Sequence, residues 1–157
     1  MPRSGHRRFQ LEGHAFFWLT QAIDARDRRL AAELKPFGLR VPEWRALAAL
    51  YARQKCSMSE LSDLSSIDRT TLTRTMDRME DAGWVARLAD AEDARVTRLA
   101  LTAAGGRLFE RLWPTVERLN QVAVEGLPAG AAESLRATLQ RMKANLDNGM
   151  AAGEKVA

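Results

Sequence analysis

Apolar residues recur at helical spacing through most of the chain, and in one place they switch to alternation. Over residues 11–35, Leu11, Ala15, Trp18 and Ala22 form one stripe, and Leu19, Ile23, Leu30 and Leu34 form a second. The spacing predicts a long helix with two different neighbours. Pro36 and Gly38 end it, and Pro42 suits the first turn of a following helix over 42–53. There Trp44, Ala48 and Tyr51 share one face, while Leu47 and Leu50 share another. Val41 falls at that helix's expected N-cap, where a hydroxyl or Asp is the usual residue. Ser57 and Glu60 have capping-box spacing at the head of a short helix, 57–64, with Leu61 and Leu64 as its apolar edge. The turn "SSI" follows. Asp68 is the expected N-cap of a helix over 68–82 that turns Leu72, Met76 and Met79 inward and stops at Gly83.

The period then changes to two. "WVARLA" and "RVTRLAL" alternate, which predicts two short strands joined at an acidic tip, "DAEDA". Thr102 caps another long helix, to about Glu125, with Leu108, Leu112, Val116, Leu119 and Ala123 on one stripe and a kink expected at Pro114. "GLPAG" interrupts. A last helix over residues 130–147 carries Leu135, Leu139, Met142 and Leu146, and the tail "NGMAAGEKVA" is expected to fray. A short helix, a tight turn and an amphipathic helix make a helix-turn-helix, and a hairpin directly after it makes the winged version. The fold class is mainly α with a small β-wing.

Composition narrows the function. The 157 residues carry 46% hydrophobic and 28% charged side chains, an ordinary globular balance. No apolar run approaches the ~18 residues of a membrane span, and Glu12 and His14 break the N-terminal segment against a secretory signal. The one cysteine, Cys56, cannot form an internal disulfide, and a cytoplasmic location is expected. The formal net charge of +4 leans towards a polyanionic partner. Between Asp68 and Arg98, however, six Arg stand against seven Asp or Glu. Any arginine that meets nucleic acid there must be placed by geometry. The clearer basic excess is Arg3, Arg7 and Arg8. Both histidines lie in the first fourteen residues, and there is no metal-ligand cluster or glycine-rich phosphate loop, so neither an enzyme nor a cofactor is expected.

The outward face of the 68–82 helix holds Thr70, Thr73, Arg74, Asp77 and Arg78. Threonine hydroxyls bond phosphates or base edges and let a helix approach the major groove closely, and arginine reaches a guanine edge. A solvated face would serve an ordinary bundle equally well. The run "TTLTRT" argues against that, because its four threonines lower helix propensity without benefit to an idle surface.

These residues, "LSDLSSIDRTTLTRTMDRMEDAGWVARLADAEDARVTRLALTAAG", resemble the winged helix-turn-helix of the MarR (multiple antibiotic resistance regulator) transcription factors. The match lies in the Thr-rich helix ending in "DRMEDAG", the Asp93-x-Arg95 of the wing and the "LALTAAG" that closes it. "VPEWRALAAL" is similar to the family's second helix, and helix order agrees over roughly residues 11–147. The resemblance implies a DNA-binding domain over 39–101 and dimerisation helices over 11–35 and 102–147, with 1–10 and 148–157 as tails. It implies that Arg95 enters the minor groove, held extended by Asp93; a narrow A·T-rich groove favours an inserted guanidinium. Ala94 departs from the basic residue often found there.

The resemblance further implies a homodimer on a pseudo-palindromic operator in double-stranded DNA, acting as a repressor released by a small, aromatic effector. His14, Trp18, Trp44 and Arg45 are the candidate lining of the effector site; both tryptophans fit plain core positions as well. Cys56 reads as a small buried thiol. The rival reading is a winged-helix module for protein–protein contact without DNA binding.

Overall fold

The structure, a computed structural model, describes residues 9–90, 93 and 97–153, with side chains described up to residue 149. It divides into two units, residues 1–119 and 120–157.

The first unit begins with a 3-10 turn, Leu11–Gly13, and helix α1, Ala15–Leu34, so the predicted 11–35 helix is shorter and has a separate first turn. Burial divides along the helix rather than between its two stripes. Leu30 and Leu34 are fully buried, whereas Leu11, Trp18 and Ile23 are exposed. Helix α2 spans Val41–Arg53. Its N-cap is Arg40 rather than Val41, because Pro42 occupies the second helical position and not the first. No side chain at the cap accepts from the first turn; the Glu43 carboxylate instead accepts the Arg40 backbone N–H at 2.6 Å, the reverse half of a capping box.

A strand that hydrophobic alternation did not reveal follows, β1, Lys55–Ser57. Helix α3, Met58–Ser65, has the predicted capping box: Ser57 and Glu60 satisfy one another's backbone N–H groups. Leu61 is buried but Leu64 is exposed, so the short apolar edge is half used. The turn to α4 passes through Ser66 in the left-handed region and is tied by the Ser62 hydroxyl donating to the Ile67 carbonyl at 2.7 Å.

Helix α4, Arg69–Asp81, is capped by Asp68, whose carboxylate accepts the Thr71 N–H at 2.9 Å. Leu72, Met76 and Met79 are fully buried. Its exit is a two-bond glycine cap: with Gly83 at φ 71°, its N–H reaches the Glu80 carbonyl and the Trp84 N–H reaches Met79. Strands β2, Val85–Ala89, and β3, Thr97–Leu101, pair antiparallel with Val85 opposite Leu101 and Ala89 opposite Thr97. Strand β1 adds to the other side of β3, giving the order β1-β3-β2.

Helix α5 runs Ala103–Val124 with Pro114 inside it. The Thr102 hydroxyl accepts the Gly105 N–H at 3.1 Å, which makes it the expected cap, and donates to the Gly83 carbonyl at 2.7 Å. Leu108, Leu112, Val116 and Leu119 join one core with Leu30, Leu34, Leu47, Leu50, Leu72 and Leu99. Ala123, placed on the same stripe by spacing, is exposed.

The second unit holds the end of α5 and α6, Ala131–Gly153. Helix α6 continues six residues beyond the predicted 147, through Gly149, so the first part of the supposed frayed tail is helical. Leu139 and Met142 are half-buried, while Val122, Leu127, Leu135 and Leu146 are exposed. Among the described residues no helix is long and apolar enough to cross a membrane.

Candidate nucleic-acid interface

Helix α4 carries its polar face because its other face is fully committed. The Asp68 cap fixes where the helix begins, and Leu72, Met76 and Met79 fix the side that is buried. Thr75, also inward, donates its hydroxyl to the Thr71 carbonyl at 2.8 Å, so this buried hydroxyl is satisfied within the helix. Thr70, Thr73, Arg74, Asp77 and Arg78 remain exposed, as helical spacing required. The Thr73 hydroxyl donates to the Arg69 carbonyl at 2.9 Å, which leaves its oxygen free to accept. No ion-pair partner for Arg74 is found among the described residues. A free arginine and short hydroxylated side chains on one exposed face can meet a base edge or a phosphate.

Several other charges near this face are drawn into pairs. Asp77 and Glu80 of α4 accept the guanidinium of Arg87, at the root of the wing, at 2.6 and 3.1 Å. Arg98 on β3 bridges Glu60 of α3 and Asp90. The acids raise the pKa of Arg87 and Arg98 further, chiefly through the hydrogen bonds these arginines donate to Asp77 and Asp90. Three of the seven acids counted over 68–98, Asp77, Glu80 and Asp90, are thus committed to framework arginines, and none of the described acids is paired with Arg74. Neither Arg87 nor Arg98 was singled out from the sequence, since alternation places them on strands without showing what faces them.

Arg78 is on the expected face, but its guanidinium is engaged. Its Nη1 lies 2.9 Å from Oε1 of Glu43, a carboxylate only 1% exposed. The same oxygen accepts from Arg40 Nη2 at 2.7 Å. Sequence reasoning passed over Glu43; the available signal was a glutamate three residues after the N-cap and next to Pro42.

The wing residue Arg95 and Ala94 lie outside the described residues, as do Arg3, Arg7 and Arg8. Asp93 is described, and its N–H donates to the Asp90 carboxylate at 3.2 Å. At the base of this hairpin, strand β2 packs beside α4 and is tied to it by Arg87.

The four candidate effector residues do not come together within one chain. Trp44 and Arg45 line a cleft of about 720 Å³ with Ile23, Asp27, Ala48 and Ala49. Arg45 is already paired there with Asp27 at 2.5 Å. Trp44 is core, stacked on Phe109 with ring centres 5.4 Å apart. Trp18 is 57% exposed, contrary to a core reading, and its indole N–H donates to the Glu12 carbonyl. His14 is exposed at the N-cap of α1, against Phe9. Cys56 is buried, as expected, and burial, with help from Glu60, raises its thiol pKa.

With this geometry in place, comparison with known proteins is specific. A family model described as MarR family matches residues 39–97. The chain is 30% identical to the HTH-type transcriptional repressor IacR of Pseudomonas putida over 139 residues, covering 88% of this chain and 83% of that protein. A MarR family transcriptional regulator from Silicibacter pomeroyi superposes with a TM-score of 0.78 at 29% identity, covering 87% of this chain and 92% of the other. A cysteine-to-serine variant of Escherichia coli MarR, solved with operator DNA, superposes with a TM-score of 0.70 at 26% identity, covering 80% and 90%.

Proposed function

Because the chain belongs to the MarR family of transcriptional regulators, we propose that it binds a pseudo-palindromic operator as a homodimer and represses transcription until a small effector releases it. One observation carries the reading. A capped helix, pinned by three buried side chains, presents Thr70, Thr73 and Arg74 outward beside the base of a β-wing. Arg74 is the base-reading residue, the threonines contact phosphate or base edges, and Arg95 on the wing enters the minor groove with Asp93 supporting it. Arg78 extends the same face.

The dimer rests on the exposed apolar side chains at the two ends of the chain. Leu11, Phe16, Trp18 and Ile23 project from the N-terminal segment, and Val122, Leu127, Leu135 and Leu146 from the C-terminal one. Large apolar side chains left open in this number on each segment point to an interface that covers them. Interlocking these helices with a second copy covers them and sets two α4 helices about 34 Å apart, one turn of duplex. The effector enters the cleft beside Trp44, where its carboxylate displaces Asp27 from Arg45. Release follows because the liganded dimer favours a different half-site spacing.

Selection of bound sequences from random duplexes tests this reading. A recovered two-fold site, with affinity falling steeply between 50 and 200 mM salt, supports it. A chain that retains no duplex at low salt is a protein-contact module instead. Arg74→Ala should cost about 1–3 kcal/mol on the recovered site and little on random DNA.

A further inference from the structure

The buried carboxylate of Glu43 sits at the junction of α2 and α4, and nothing in the reading above gives it a task. It belongs to α2, yet it is tied to both helices. Its Oε2 accepts the Arg40 backbone N–H, which anchors it to the first turn of α2. Its Oε1 accepts from the Arg40 guanidinium and forms an ion pair with Arg78 of α4, whose Nη1 lies 2.9 Å away. A side chain that caps its own helix cannot drift, so the position of its second oxygen is fixed.

The remaining attachment of α4 is pliable. Two of its three fully buried apolar side chains, Met76 and Met79, are methionines. Methionine adapts its shape to its surroundings, and apolar packing has no preferred direction. Such packing fixes which face is inward but resists a small roll about the helix axis poorly. At ~6 Å from that axis, a roll of roughly 10° moves a side-chain tip by about 1 Å, which is enough to misalign a bidentate hydrogen bond. On the other flank, Arg87 meets acids that are themselves about half-exposed, whereas the half-exposed Arg78 meets a buried one.

We propose that Glu43 is a positioning residue for DNA reading: through Arg78 it sets the roll of α4 about its axis, and Arg78 serves as the strut rather than as a DNA contact. The proposal rests on the assignment of α4 as the reading helix. It also makes an unusual demand on charge. Removing Glu43's negative charge beside a DNA-facing helix should, on electrostatics alone, tighten binding to any duplex. Loss of positioning instead weakens binding to the operator alone.

The test uses full-length wild type, Glu43→Gln, Arg78→Gln and the double variant, each titrated with the selected operator and a random duplex over a range of salt. Each single substitution should lower operator affinity about tenfold and leave random-duplex affinity within about twofold. The double variant should be no weaker than either single one, because the two groups act as a unit. Arg78→Gln should leave the salt slope of operator binding unchanged, whereas loss of a phosphate contact reduces it by about one. A reduced slope, additive losses, or tighter operator binding by Glu43→Gln overturns the proposal. Should Glu43→Gln fail to fold, the salt slope and the operator-to-random ratio of Arg78→Gln decide alone. Wild type that binds no duplex would instead remove the reading-helix assignment, an outcome distinct from any result of the cycle.

Discussion

Gly105 and Gly106 stand side by side in the first turns of α5, and replacing each by alanine separates helix propensity from packing. A Cβ on Gly105 would lie 2.1 Å from the Trp84 carbonyl oxygen and 3.0 Å from its carbon. An ordinary carbon–oxygen approach is about 3.3 Å or more, so the two backbones must separate by roughly 1 Å. The carbonyl cannot yield easily, because it also accepts the Thr102 N–H at 3.0 Å. Forcing extra volume into such a site costs about 1–3 kcal/mol, set against about 0.5–1 kcal/mol gained by removing a glycine from a helix. Gly105→Ala should therefore destabilise by about 1–2 kcal/mol. A Cβ on Gly106 meets nothing within 4 Å, so Gly106→Ala should stabilise by about 0.5–1 kcal/mol. Urea unfolding followed by circular dichroism, at equal protein concentration because a dimer's stability depends on it, reads both. With m about 2 kcal/mol/M, the midpoints should move down by about 0.5–1 M and up by about 0.3–0.5 M, respectively. Midpoints that shift in the same direction would show that the α5–Trp84 approach is not as close as described, and the packing argument would fail.

Other outcomes are open to direct measurement. Arg95→Ala should weaken operator binding and reduce its salt slope by about one, and unchanged affinity removes the wing from the interface. Asp68 has a pKa held below the ordinary aspartate value, chiefly by the Thr71 backbone N–H. Its cap therefore stabilises fully above about pH 4 and loses effect as pH falls through the lowered value. Asp68→Ala should lower Tm at pH 7, with the gap to wild type closing in acid; a gap independent of pH contradicts the cap. The Cys56 thiol, buried and raised in pKa, should react with a thiol reagent at pH 7.5 far more slowly than in the urea-unfolded chain, and equal rates would contradict its burial.

Much of this was legible from local rules. The α4 helix is the clearest case: an aspartate cap, a 3.6-residue apolar period and a glycine stop all agree, and each was found where spacing placed it. What escaped depended on residues distant in sequence. Strand β1 is three residues long and exists because β3, more than forty positions later, offers it an edge (Lys55 opposite Ala100). The N-cap at Arg40 escaped because arginine has no acceptor to cap with, and the side-chain bond to the backbone there is the reverse one, from the Arg40 N–H to Glu43. Trp18 was ambiguous for a different reason. Periodicity says that a face is apolar but not whether the same chain or another covers it, and in the isolated chain Trp18 is open. The pairing of Arg87, Arg98 and Arg78 was likewise invisible in the charge count, which records how many charges there are but not which of them cancel.

That cancellation bears on how the protein lives among genomic DNA. Arginines 40 and 78 share one carboxylate, and Arg87 and Arg98 each hold two. Around α4 and the root of the wing this leaves Arg69 and Arg74 as the described arginines without an ion pair, and indiscriminate adhesion grows with each unpaired cation. Millions of irrelevant sites compete for every copy in a cell, so a molecule that sticks weakly to them is not titrated away. A handful of dimers can then keep a single promoter occupied, and those that let go dissolve into the surrounding medium.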